Sequence, residues 1–138
     1  MINSRKIEDL HPIVADMCRS FLERCKEVGI DVIITSTYRD LESQQALYNQ
    51  GRTTPGRKVT NAKPGQSFHN FKVAFDFVPI INGKAQWNDL KLFKKCGDIA
   101  KSVGLEWAGD WVTFKEYAHC QYTANLSLKD FQNGKTIS

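Results

Sequence analysis

Apolar residues fall at Ile13, Val14, Met17, Cys18, Phe21, Leu22, Cys25 and Val28, the i, i+3, i+4, i+7 stripe of an amphipathic helix over residues 11–28. Pro12 suits its first turn, where a missing N–H costs nothing, and Gly29 suits its end. The period then changes. Asp31 to Thr37, DVIITST, is β-branched and predicts a strand. Asp40 is placed to cap a second helix, LESQQALYNQ, closed by Gly51. Residues 51–67 hold three Gly and two Pro without periodicity and predict a long loop, a kind of segment that usually carries function. Val73 to Pro79 predicts a second strand, with Val73, Phe75 and Phe77 on one face and Ala74, Asp76 and Val78 on the other. Asn82-Gly83 predicts a tight turn that pairs Ile80-Ile81 with Lys84 to Trp87. Asn88 is placed to cap a third helix from Asp89 to Val103, with Leu92, Phe93, Cys96, Ile99, Ala100 and Val103 as its apolar stripe and Gly104 as its stop. Leu105 to Tyr122 is aromatic and strand-like with turns, and a short helix is expected near Leu126 to Phe131. The pattern predicts an α+β fold: a small, mostly antiparallel sheet flanked by about three helices.

Composition narrows this further. A chain of 138 residues suits one domain, 1–138, and 41% hydrophobic with 25% charged residues excludes disorder or a coiled coil. No apolar run approaches the ~20 residues of a membrane span. The N-terminus, MINSRKIEDL, lacks the apolar core of a secretory signal, which predicts synthesis and folding in the cytoplasm. Cys18, Cys25, Cys96 and Cys120 include no CxxC pair and are expected to be buried, reduced thiols. The net charge of +4 is uneven: Arg52, Arg57, Lys58, Lys63 and Lys72 fall in a stretch without one acidic residue. Such a stripe attracts polyanions, whether nucleic acid, anionic lipid headgroups or cell-wall polymers, or it is simply a solvated loop.

The candidate chemistry gathers in a few segments. Asp76 is the one polar residue on an otherwise apolar strand, and an unpaired buried carboxylate costs several kcal/mol, so it needs a cation or strong donors. His69, seven residues earlier, can fold over from the loop to share a metal ion; pairing of Asp76 with an arginine or backbone amides is the alternative. His119 follows Glu116 by three residues, which places a free carboxylate beside a histidine ligand, as metal-assisted hydrolysis requires. A surface carboxylate and a hydrogen-bonded sheet histidine are the plainer readings. Two histidines and a carboxylate suit Zn²⁺ with a position left for water, and better than non-haem iron, whose common H-x-D/E spacing is absent. Arg39 ends its strand where it can meet a substrate carboxylate or an oxyanion, or pair with Asp40 or Glu42.

In this order, STYRDLESQQALYNQG, SFHNFKVAFDF and EYAHCQY resemble the motifs of the VanY and D-alanyl-D-alanine carboxypeptidase type of zinc peptidase. With GLEWAGDW before the last motif, the chain is most similar to phage endolysins that are L-alanyl-D-glutamate peptidases. The resemblance implies Zn²⁺ held by His69, Asp76 and His119, with Glu116 as the catalytic carboxylate and Arg39 steadying the transition state. It implies substrate contacts at Ser67, Trp107 and Asp110, with Gly109 and Trp111 in the same aromatic stretch and Gln45 as support. It departs at Lys72, where the family usually has Gly, so a modified turn and an added positive charge at the cleft are expected. The implied activity is hydrolysis of the L-Ala-D-Glu bond of peptidoglycan, lysing the bacterial host. The implied protein is a monomer without a separate cell-wall-binding domain, drawn to an anionic wall or outer membrane by the Arg52–Lys72 stretch and not to nucleic acid. It would wait in the host cytoplasm until release at lysis. A D,D- or L,D-carboxypeptidase of the same fold and a non-catalytic wall- or nucleic-acid-binding module are the alternatives.

Overall fold

A computed structural model describes residues 1–138. The first apolar stripe forms helix α1, Pro12–Glu27; the His11 ring accepts from the Ile13 N–H at its start, and Gly29 takes φ 81° just past its end. Strand β1, Asp31–Ser36, follows, then helix α2, Leu41–Asn49, with the Asp40 carboxylate accepting from the Ser43 N–H as expected of a cap. After the long loop come strand β2, Ala74–Ile81, and the short β3, Lys84–Ala85, joined by the Asn82-Gly83 turn. Helix α3 spans Leu90–Ser102. Its cap is Asp89, which accepts from the Leu92 N–H, and not Asn88: a carboxylate there is the stronger acceptor for exposed N–H groups. Strands β4, Glu106–Trp107, and β5, His119–Gln121, complete the sheet, and helix α4, Leu128–Gln132, closes the chain.

The strand order is β1-β2-β5-β4, every pairing is antiparallel, and β3 lies beside the far end of β2. Phe75 and Phe77 of β2 are fully buried against Phe21 of α1, and Phe77 also meets Phe93 of α3, with ring centroids 5.1–5.9 Å apart. Burial of each such ring contributes roughly 1.5–3 kcal/mol. This packing fixes which face of β2 turns inward, so the pleat turns Asp76 to the opposite face. All four cysteines lie in the interior as free thiols. Burial pushes the Cys18 thiol up to about 12, which leaves it protonated and apolar in character.

Two further features place the site. The β1–β2 register shifts between Ile34 and Ser36, and this bulge sets Ser36 opposite Asp76. The N-terminus lies along the chain just past β1, with the Ser4 N–H on the Tyr38 carbonyl and the Thr37 N–H on the Ser4 carbonyl. The loop predicted from residue 51 is irregular but tied down: Arg52 donates to the carbonyls of Tyr48 and Thr60, and Gln44 donates to that of Ala62. No helix is long and apolar enough to cross a membrane.

Candidate active site

The candidate site lies at the end of the sheet where β1 stops and β5 begins. Asp76 is paired across the sheet with His119 on one side and Ser36 on the other. His69 comes from a single 3₁₀ turn, Phe68–Phe71, just before β2. Ser67 caps this turn: its hydroxyl accepts from the His69 N–H, and Asn70 reaches back to the Ser67 N–H. Lys72 ends it at φ 65°. The turn therefore keeps the left-handed conformation that glycine favours, instead of the modified one expected, and places the Lys72 Nζ 4.9 Å from the Tyr38 ring centroid.

Three side chains converge. His69 Nε2 is 3.2 Å and His119 Nδ1 is 3.3 Å from the same oxygen, Asp76 Oδ1. One donor atom from each residue lies within 4.8 Å of the others. As whole residues, His69 and His119 are 4% and 5% exposed. The remaining ring nitrogens face acceptors: His69 Nδ1 is 2.9 Å from the Thr37 carbonyl, and His119 Nε2 is 2.8 Å from Gln121 Oε1. Those acceptors draw the ring protons outward and leave two lone pairs facing one carboxylate, an arrangement that a cation stabilises. The donor set fits zinc: two imidazole nitrogens and one carboxylate oxygen. Burial alone would raise the Asp76 carboxyl, but when both rings are protonated and no cation is bound, the charge and hydrogen bonds of the two imidazolium groups outweigh it and hold the group well below the usual carboxylate range. Burial alone would lower His119, but Asp76, with smaller help from Glu116 and Gln121, raises it.

Two more predicted residues border the cluster. Glu116 Oε2 is 3.6 Å from His119 Nδ1, and its side chain is 61% exposed. Arg39 is held by neither Asp40 nor Glu42; it donates to Gln44 Oε1 and Ser36 Oγ, and its buried Nε–H has no partner in the chain. Burial lowers the Arg39 pKa, against the opposing pull of Asp76 and Glu116. The glutamine that supports it is Gln44, fully buried, whereas Gln45 reaches only Asn49.

The residues expected to meet substrate are placed differently. Ser67 is occupied as a cap. Trp107 is 3% exposed, and its Nε1–H donates to the Tyr117 carbonyl. Its indole lies so close to Gly97 and Gly109 that a Cβ added at either would overlap it. Asp110 binds Lys101 at 2.7 Å. The aromatic side chain beside the cluster is Trp111, with its ring centroid 5.6 Å from that of His119.

The geometry is that of a metal-dependent hydrolase: two buried histidines and a half-buried aspartate converge, with an exposed carboxylate at their mouth. The chain belongs to the VanY family, D-alanyl-D-alanine carboxypeptidase, whose profile matches residues 7–123. The peptidoglycan L-alanyl-D-glutamate endopeptidase CwlK of Bacillus subtilis (strain 168) is 39% identical over 132 residues, covering 85% of this chain and 75% of that protein. The L-alanyl-D-glutamate peptidase of Listeria phage A118 is 33% identical over 106 residues, covering 75% of this chain and 34% of that protein. The fold is shared with a vancomycin-resistance D,D-pentapeptidase VanY solved in complex with Zn(II). That likeness has a TM-score of 0.67 and 15% identity, and covers 96% of this chain and 90% of that one.

Proposed function

We propose that the chain is a zinc-dependent endopeptidase that cuts the L-alanyl-D-glutamate bond of peptidoglycan stem peptides. The convergence of His69 Nε2, Asp76 Oδ1 and His119 Nδ1 carries this reading, and the two relatives named for that bond support the specificity. Held by these residues, a single zinc ion supplies Lewis acidity, which lowers the pKa of water and polarises a peptide carbonyl. Glu116, exposed beside His119, takes the proton of the attacking water and returns it to the leaving amine. Arg39, anchored by Gln44 and Ser36, keeps a fixed positive charge for the oxygen on which negative charge develops. Trp111 bounds the site on the His119 side. Ser67 and Trp107 serve the substrate indirectly, through the turn and the rim they hold, and Asp110 lies further out with Lys101.

In this reading residues 1–138 form one catalytic unit that acts as a monomer. The Arg52–Lys72 stretch draws it to an anionic wall or outer-membrane surface. The phage relative supports a role in host lysis, with the enzyme released from the cytoplasm to the wall.

Digestion of purified peptidoglycan, with and without a chelator, tests the activity. Fragment masses should show peptides that begin at D-glutamate, and none when metal is withheld. Clearing that is equal in the chelator would contradict the proposal. The family description and the D,D-pentapeptidase fold favour a second reading, a carboxypeptidase. Release of single D-amino acids from intact stems would establish it instead.

A further inference from the structure

The two histidines of the cluster are oriented by different means. His69 Nδ1 faces the backbone carbonyl of Thr37 at 2.9 Å. A carbonyl only accepts, so the ring proton sits on Nδ1 and Nε2 is left free, whatever the neighbouring side chains. His119 presents the opposite nitrogen. Its Nε2 faces the side-chain amide of Gln121, with Oε1 2.8 Å away. An amide has an accepting and a donating end. Turned over, it would offer its NH₂ to Nε2, favour a proton on Nδ1, and block the nitrogen that faces Asp76.

A second residue removes that ambiguity. Glu106 Oε2 is 3.2 Å from Gln121 Nε2. An ionised carboxylate only accepts, so it holds the NH₂ end and turns the carbonyl end toward His119. Strand pairing brings the residues together: Glu106 stands opposite Gln121 in β4–β5, and Gln121 is two residues from His119 on the same face of β5. Gln121 is 5% exposed, so water cannot readily replace it.

We propose that Gln121 and Glu106 are positioning residues that together hold His119 in the tautomer whose Nδ1 lone pair faces Asp76 and the metal position. The proposal rests on the zinc-site reading above. It assigns the two-residue strand β4 a role in the chemistry as well as in the sheet.

Two readouts other than activity test it: zinc affinity by competition with a chelator, and the His119 tautomer by long-range ¹⁵N–¹H correlation on metal-free protein in alkaline buffer. The wild type should show the Nε2–H form. Gln121→Leu should mix the tautomers and weaken zinc binding by about 10–100-fold, the usual cost of losing an outer partner of a metal-bound histidine. Glu106→Gln should do the same to a smaller extent, because an amide no longer dictates the direction of Gln121. The double exchange Glu106→Gln/Gln121→Glu restores an acceptor against His119 and should recover most of the affinity. Wild-type affinity and a single Nε2–H tautomer in folded Gln121→Leu would overturn the proposal. So would a double exchange no better than Gln121→Leu. If Gln121→Leu does not fold, the exposed Glu106→Gln decides: an unchanged tautomer and affinity overturn the proposal. A wild type that binds no zinc would refute the zinc reading alone, and the tautomer measurement would still decide this one.

Discussion

The floor of the site and its rim are built differently. In the floor, His69 and His119 are buried and Asp76 is half-buried; strand pairing sets Asp76 beside His119, a capped 3₁₀ turn carries His69, and the two rings are fastened to Thr37 and Gln121. The rim, from Trp111 to Glu116, has no regular secondary structure and is largely solvent-facing, with Val112 and Phe114 at 94% and 78% exposed. Metal ligands must be held to tenths of an ångström, and a packed sheet does that. A proton-transfer group and the walls that receive a long polymer need access instead, and loops on a rigid frame provide it. The two regions are joined by Trp107, which is wedged beside Gly97 and Gly109 in the interior and holds the Tyr117 carbonyl at the base of the rim.

Breaking the floor should have the largest effect. His69→Ala should lose both zinc and hydrolysis; full zinc occupancy in that variant would remove His69 from the ligand set. Glu116→Ala tests the rim alone. Hydrolysis should fall by about 10²–10⁴-fold, the range for a lost general base, while zinc content and Tm stay as in the wild type. Wild-type rates, or a matching loss of zinc, would erase the distinction between the regions. Gly97→Ala tests the joint. The added methyl overlaps the Trp107 indole, so stability should fall by roughly 1–3 kcal/mol in thermal unfolding. An unchanged Tm would show that Trp107 is free to move. Lys72→Gly is the smallest change and should sharpen the floor. Relief of the left-handed backbone, about 1 kcal/mol, is offset by loss of the Lys72–Tyr38 contact, about 0.5 kcal/mol. A net rise in Tm of about 2 °C is expected. A fall would mean that the lysine side chain matters more than the strain.

The floor was more legible in the sequence than its supports. Helices α1 and α3 follow from their stripes, β2 from its short apolar run, and the hairpin from Asn82-Gly83. An acidic residue alone on an apolar strand marks Asp76, because burial without partners would be too costly. The supports were harder to read. The acceptor for His69 is a main-chain carbonyl, which no side chain announces. Gln44 and Gln45 stand side by side in the sequence, and only the burial of one face of α2 separates them. Gln121 did carry a signal, since it stands two residues from His119 in a strand and so shares its face, but its partner Glu106 emerges only from the β4–β5 register. Trp107 and Trp111 look alike in the sequence; packing sends one inward and sets the other against His119. The bulge that brings Ser36 opposite Asp76 has no residue signature in DVIITS.

The proposed function requires that this floor hold one zinc ion and that hydrolysis depend on it. Titration of zinc into metal-depleted protein, with bound zinc and stem-peptide cleavage followed together, tests it most directly. Cleavage should be absent at the start, rise in step with bound zinc, and level off at one ion per chain. Cleavage at full rate before any zinc is added, or a chain that fills with zinc and still does not cut, would contradict it.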